Sequence, residues 1–116
     1  MDRAKIDLDK INGPVMIVSG DDDEFWPSEQ LSQIASKARK GNNYSSHDHY
    51  LIYSGAGHNL GIPNLPTTGD CLIMPANLSL HLGGDPSKDA KARADSWQRM
   101  LQFLDLHLMG SGLDAN

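Results

Sequence analysis

Six side chains in this sequence could do chemistry by their type and spacing: the run Asp21, Asp22, Asp23, and the histidines His47, His49 and His58. Adjacent carboxylates repel one another, so a chain that carries them in "VMIVSGDDDEFWPSEQ" should make use of at least one. A carboxylate hydrogen-bonded to an imidazole is a general-base unit. It fixes the ring's tautomer and stabilises the imidazolium that forms when the other nitrogen takes a proton from a nucleophile. His58, in "YSGAGH", is the candidate base, and Gly55 and Gly57 let the backbone turn tightly enough to aim its ring. The plain readings are a polar strand-to-helix turn for the aspartates and an ordinary loop position for His58.

Metal chemistry finds less support. His47 and His49, in "HDHY", share a face if extended, but no third ligand is evident, and a solvated strand entry is the simpler reading. A calcium loop begun at Asp21 would need glycine at its sixth position and glutamate at its twelfth, where Trp26 and Ser32 stand. An Asp-x-Asp phosphatase pair of Asp21 and Asp23 lacks a threonine or valine two places on, where Phe25 stands. No metal and no cofactor is expected.

The elements around these residues are legible. "PVMIV", Pro14 to Val18, is a short apolar run suited to a strand buried on both faces. The aspartate turn closes it. "SEQLSQIASKARKG" reads as an amphipathic helix with Ser28 as N-cap, Leu31, Ile34, Ala35 and Ala38 on one face, Lys37, Arg39 and Lys40 in its last turn and Gly41 beyond. "HYLIY", His49 to Tyr53, is a second strand, closed by the turn that carries His58. Strand, helix, strand makes a βαβ unit with two parallel strands, and both chemical clusters then sit at the carboxyl ends of those strands, where α/β sheets bind ligands.

From Gly61 to Asp85 the sequence is irregular and proline-spaced, an excursion over the sheet in which "LSLHL" could add a strand. After Asp85 and Pro86, suited to N-cap and first helical position, Ala90, Ala94, Trp97, Leu101, Leu104 and Leu108 recur at spacings of four and three up to Gly110. That predicts a long helix packed on the sheet, with Trp97 in the core. The tail "SGLDAN" should fray.

Composition sets the outer bounds. A chain of 116 residues is one domain, 1–116, and 39% apolar with 22% charged residues is a globular balance. A net charge of -5 argues against a broad nucleic-acid or anionic-lipid surface. Cys71 stands alone, which excludes an internal disulfide and suits a reducing compartment, so a cytoplasmic setting is expected. No apolar run approaches the roughly 20 residues of a membrane-spanning helix, and "MDRAKIDLDK" is not a signal peptide.

These motifs carry a resemblance. "GDDDEFWPS" matches the Gly-x-x-Asp-x-x-x-Pro turn that bears the acid of α/β-hydrolases, with Gly20, Asp23 and Pro27 in register, and "YSGAGH" matches the turn that bears their histidine. With "INGPVMIVSG", "GIPNLP" and "HLGGDPSKDAKARADSWQRMLQFLDLHL", the chain from about Ile6 to Leu108 resembles one subgroup of that superfamily, related to dienelactone hydrolases. The subgroup is the C-terminal domain of acyl-CoA thioesterases and bile acid-CoA:amino acid N-acyltransferases. The resemblance implies the C-terminal portion of an α/β-hydrolase fold, parallel strands with flanking helices, in which Asp23 is the triad acid and His58 the triad base. It implies an acyl-CoA or other acyl ester or thioester substrate for the complete enzyme. Asp21 and Asp22 have no catalytic counterpart in that pattern and are expected to be solvated or turn-forming.

The departure is the nucleophile. A triad of this kind needs a Gly-x-Ser-x-Gly elbow or its cysteine version, and the sequence contains neither. Cys71 has no elbow around it, and Ser19, Ser28 and Ser54 border the site without the flanking glycines. The expectation is a C-terminal portion whose nucleophile-bearing N-terminal half is absent. The alternative is a non-catalytic remnant or interaction module with an exposed sheet edge, which would self-associate or pair with the missing half.

Overall fold

The computed structural model describes residues 6–67, 70–73, 75 and 77–109, with the backbone alone described for 70–73. The tail 111–116 and the side chain of Cys71 lie outside the described residues. Strand β1 (Met16–Gly20), helix α1 (Ser28–Ala38) and strand β2 (His49–Tyr53) form the expected βαβ unit. The two strands pair in parallel, Met16 opposite His49 and Gly20 opposite Tyr53. Strands β3 (Asp70–Ile73) and β4 (Leu78–His81) pair antiparallel as a separate sheet, and helix α2 (Pro86–Leu104) continues into a π-helical turn, Asp105–Met109. The segment from Gly61 to Asp85 is therefore more ordered than its prolines suggest: "LSLHL" supplies β4, and β3 joins it as a hairpin.

Asp85 caps α2 as its sequence predicts, its carboxylate accepting from Ser87 N–H and Lys88 N–H with Pro86 in the first turn. Helix α1 differs. It begins at Ser28 after Pro27, and no side chain caps it; the Ser28 hydroxyl donates instead to the Gly20 carbonyl at 3.0 Å, tying the helix start to the end of β1.

One ion pair organises the end of the sheet away from the site. Arg39 and Asp48 are each 1% exposed in their side chains, and Arg39 Nε and Nη2 donate to the two Asp48 oxygens at 2.8 and 2.9 Å. The guanidinium also donates to the carbonyls of Leu8, Ile11 and Gly13, while Asp48 accepts from Val15 N–H and the Tyr50 hydroxyl. Arg39, read from sequence as a helix-end charge, thus holds the chain entering β1 against the chain entering β2.

The apolar core is small: Ala56, Leu60 and Ala92 are buried, with Val18 and Tyr53 packed against them. Trp97, expected in the core, is 36% exposed, and Ala90, Ala94, Leu101, Leu104 and Leu108 are exposed with it. On α1, Leu31 and Ile34 are exposed while Ser32 and Ala35 are buried. These departures share one geometry. The flank of α1 that lines a groove with Tyr50 and Ile52 of β2 is polar: Gln33, Ser36, Lys37 and Lys40. The flank of α2 that lines a groove with Tyr53 and Ser54 carries Lys88, Lys91 and Asp95. Helical periodicity puts Leu31, Ile34 and Ala38 on the opposite flank of α1. Trp97 and Met100 of α2 face Val18 of β1. Both helices are thus polar toward β2 and apolar toward the unpaired edge of β1.

Candidate active site

The acid and base turns leave neighbouring parallel strands at the same end, and the backbone locks them together. Asp21 N–H donates to the Tyr53 carbonyl and Asp22 N–H to that of Ala56, continuing the β1–β2 ladder into the turns. The approach is so close that a Cβ on Gly20 would overlap the Ala56 carbonyl, which is why the position admits only glycine. Asp23 forms an isolated bridge with Gly83 beyond β4, and His58 N–H donates to the Leu82 carbonyl at 2.8 Å.

This frame brings His58 Nδ1 to 2.9 Å from Asp23 Oδ2. The Asp23 side chain is 2% exposed and that of His58 28%, so the acid is enclosed while the ring retains access. The other Asp23 oxygen accepts from Phe25 N–H at 2.9 Å and Trp26 N–H at 3.1 Å, an Asx-type turn that aims the carboxylate at the imidazole. Burial pushes the Asp23 carboxyl up, but hydrogen bonds from His58, Trp26 N–H and Phe25 N–H outweigh it and hold the group below the usual carboxylate value. Asp23 is thus ionised when it faces the ring.

Phe25 and Trp26 stand over that ring, with centroids 4.8 and 5.1 Å from the imidazole. Both are largely exposed on their other side. On the far side His58 borders a cavity of about 160 Å3 lined by Val18, Leu60, Gly61, Ser96, Trp97 and Met100.

Three serines near the site, Ser19, Ser28 and Ser96, direct their hydroxyls to backbone carbonyls and not to His58. Ser19 faces the Leu51 carbonyl and Ser28 that of Gly20, while Ser96 donates to the carbonyls of Leu60 and Arg93. His47 and His49 are not drawn together: their rings pack edge-on against His107 and Phe103 respectively. Among the described residues no group of three metal-ligating side chains occurs, and no helix is long and apolar enough to cross a membrane.

Asp23 and His58 lie on one rim, and the contacts that hold their turns come from residues distant in sequence. Asp21, expected to be solvated or turn-forming, accepts from Gly55 N–H and so joins the acid turn to the base turn. Asp89 of α2 accepts from Gly57 N–H; nothing in its local sequence marks it, because its partner lies 32 residues away.

Comparison with known proteins shows the family. Residues 1–110 match the family model described as BAAT / Acyl-CoA thioester hydrolase C terminal. The chain is 33% identical over 105 residues to the mouse (Mus musculus) peroxisomal succinyl-coenzyme A thioesterase, covering 90% of this chain and 25% of that protein. It is 29% identical over 108 residues to human (Homo sapiens) acyl-coenzyme A thioesterase 6, covering 93% of this chain and 25% of that protein. It is 30% identical over 105 residues to rat (Rattus norvegicus) acyl-coenzyme A amino acid N-acyltransferase 2, again covering 90% and 25%. The chain spans about a quarter of the length of these relatives. With residues 1–110 matched and a short parallel sheet compatible with it, the chain belongs to the BAAT / acyl-CoA thioester hydrolase C-terminal family.

Proposed function

We propose that this chain supplies the acid and base of an acyl-CoA thioester-cleaving α/β-hydrolase, with the nucleophile contributed by a further portion of the enzyme. The observation that carries the reading is the 2.9 Å contact between His58 Nδ1 and the enclosed Asp23. Asp23 keeps the neutral ring protonated on Nδ1, which leaves Nε2 to take the proton of a serine or cysteine as it attacks the thioester carbonyl. The tetrahedral intermediate then collapses, breaking the carbon–sulfur bond, and the imidazolium returns its proton to the departing CoA thiolate. Water or an amine, deprotonated by the same nitrogen, then attacks the acyl group. The bond from that group to the serine or cysteine breaks, the imidazolium returns the proton to that oxygen or sulfur, and the acyl group leaves as acid or amide. The single cysteine favours a cytoplasmic setting for this chemistry.

The second reading is a binding module without catalysis, and the apolar flanks beside the open edge of β1 favour it. One experiment separates the two. Substituting this chain for the matching quarter of the mouse peroxisomal relative should preserve acyl-CoA hydrolysis, and His58→Ala in the chimera should abolish it. A chimera that folds and binds but hydrolyses no thioester, or one indifferent to His58→Ala, supports binding alone.

A further inference from the structure

A turn reading Ser-Gly-Ala-Gly-His has little intrinsic rigidity, yet each amide from Gly55 to His58 is bound by a different part of the fold. Gly55 N–H donates to Asp21 Oδ1 after β1. Ala56 N–H donates to the Tyr53 carbonyl at the end of β2, and His58 N–H to the Leu82 carbonyl after β4. Gly57 N–H donates to Asp89 Oδ1 of α2 at 2.8 Å. Asp89 is 4% exposed and takes no part in the proton transfers described above. Gly84, at φ 85°, packs on the Asp89 carboxylate so closely that a Cβ there would overlap it. A carboxylate in the first turn of a helix ordinarily serves that helix's own dipole; this one is aimed at another element, at the amide preceding the base.

We propose that Asp89 is a positioning residue for His58. Its charge-assisted bond to Gly57 couples the base turn to α2 and sets the ring where Asp23 can hold its Nδ1 proton. The inference rests on the reading of His58 as the base. Asp89 itself touches no reacting atom.

The test uses the full chain, labelled with 15N, at alkaline pH. In the unaltered protein the two His58 ring nitrogens should give the widely separated signals of a single Nδ1–H tautomer. Asp89→Ala should make those signals converge as both tautomers become populated, and Asp89→Asn, which keeps an oxygen acceptor for Gly57, should restore the separation. A merely structural role would lower the melting temperature in Asp89→Ala and leave the tautomer intact, which would overturn the proposal.

Asp23→Asn in the same measurement separates the two levels. Unchanged signals there sink the reading of the pair and this inference with it; a change there with none in Asp89→Ala sinks the inference alone. Should Asp89→Ala fail to fold, hydrogen exchange in the unaltered chain decides. The Gly57 amide should exchange as slowly as the amides of α2, and exchange at the rate of an unprotected amide would overturn the proposal.

Discussion

Three consecutive aspartates make physical sense once each is followed to its partner. Asp21 holds the base turn through Gly55, Asp22 extends the ladder through its backbone to Ala56, and Asp23 binds the ring. Their mutual repulsion is offset because the side chains of Asp21 and Asp23 meet different donors. Asp23→Asn in a complete enzyme should lower kcat by about 10^4, because an amide facing Nδ1 stabilises the wrong tautomer; steady-state thioester hydrolysis checks it. Asp23 also carries a pH dependence. Its carboxyl titrates below the unfolded value of about 3.9, so its ionised form stabilises the fold above that pH and the contribution is lost as pH falls through the lower native value. In Asp23→Asn, the slope of unfolding free energy against pH in this acid range should be shallower than in the unaltered chain, as denaturant titrations would show.

At the scale of elements, the strand pair depends on a clamp far from the chemistry. Removing one partner from a buried ion pair leaves an uncompensated charge, so Arg39→Met should destabilise the chain by about 3–5 kcal/mol in urea unfolding. Replacing both Arg39 and Asp48 with apolar residues should cost less than Arg39→Met alone, apart from the carbonyls of Leu8, Ile11 and Gly13 left without their donor. The βαβ unit and the N-cap of α2 were legible because strand runs, Asp-Pro starts and spacings of four and three are local signals. Arg39 was not, since its acceptors lie 9 to 31 residues away and nothing in "SKARKG" separates it from a solvated helix-end charge. The site divided in the same way. Asp23 and His58 stand in recognisable turns, whereas Asp21 and Asp89 gain their roles from tertiary contacts at 34 and 32 residues' separation. Trp97 showed that periodicity reports an apolar flank but not what covers it.

For the whole molecule, the asymmetry between the two sheet edges decides how it meets other chains. Beside β2 both helices turn lysines and other polar groups outward, a surface built for water. Beside β1 they turn out Leu31 at 49% exposure, Ile34 at 59%, Leu101 at 49% and Leu104 at 41%, flanking a strand whose second edge pairs with nothing among the described residues. An apolar margin on both faces of an open strand is a surface that associates when left uncovered. The isolated chain should therefore self-associate in sedimentation experiments, increasingly with concentration. Leu31→Glu combined with Ile34→Glu should shift it toward monomer, because burying those carboxylates without partners is costly. Lys37→Glu combined with Lys40→Glu, on the β2 side of the same helix, should leave the association unchanged. If the lysine pair disperses the assembly and the apolar pair does not, the sheet meets its partner at β2 instead.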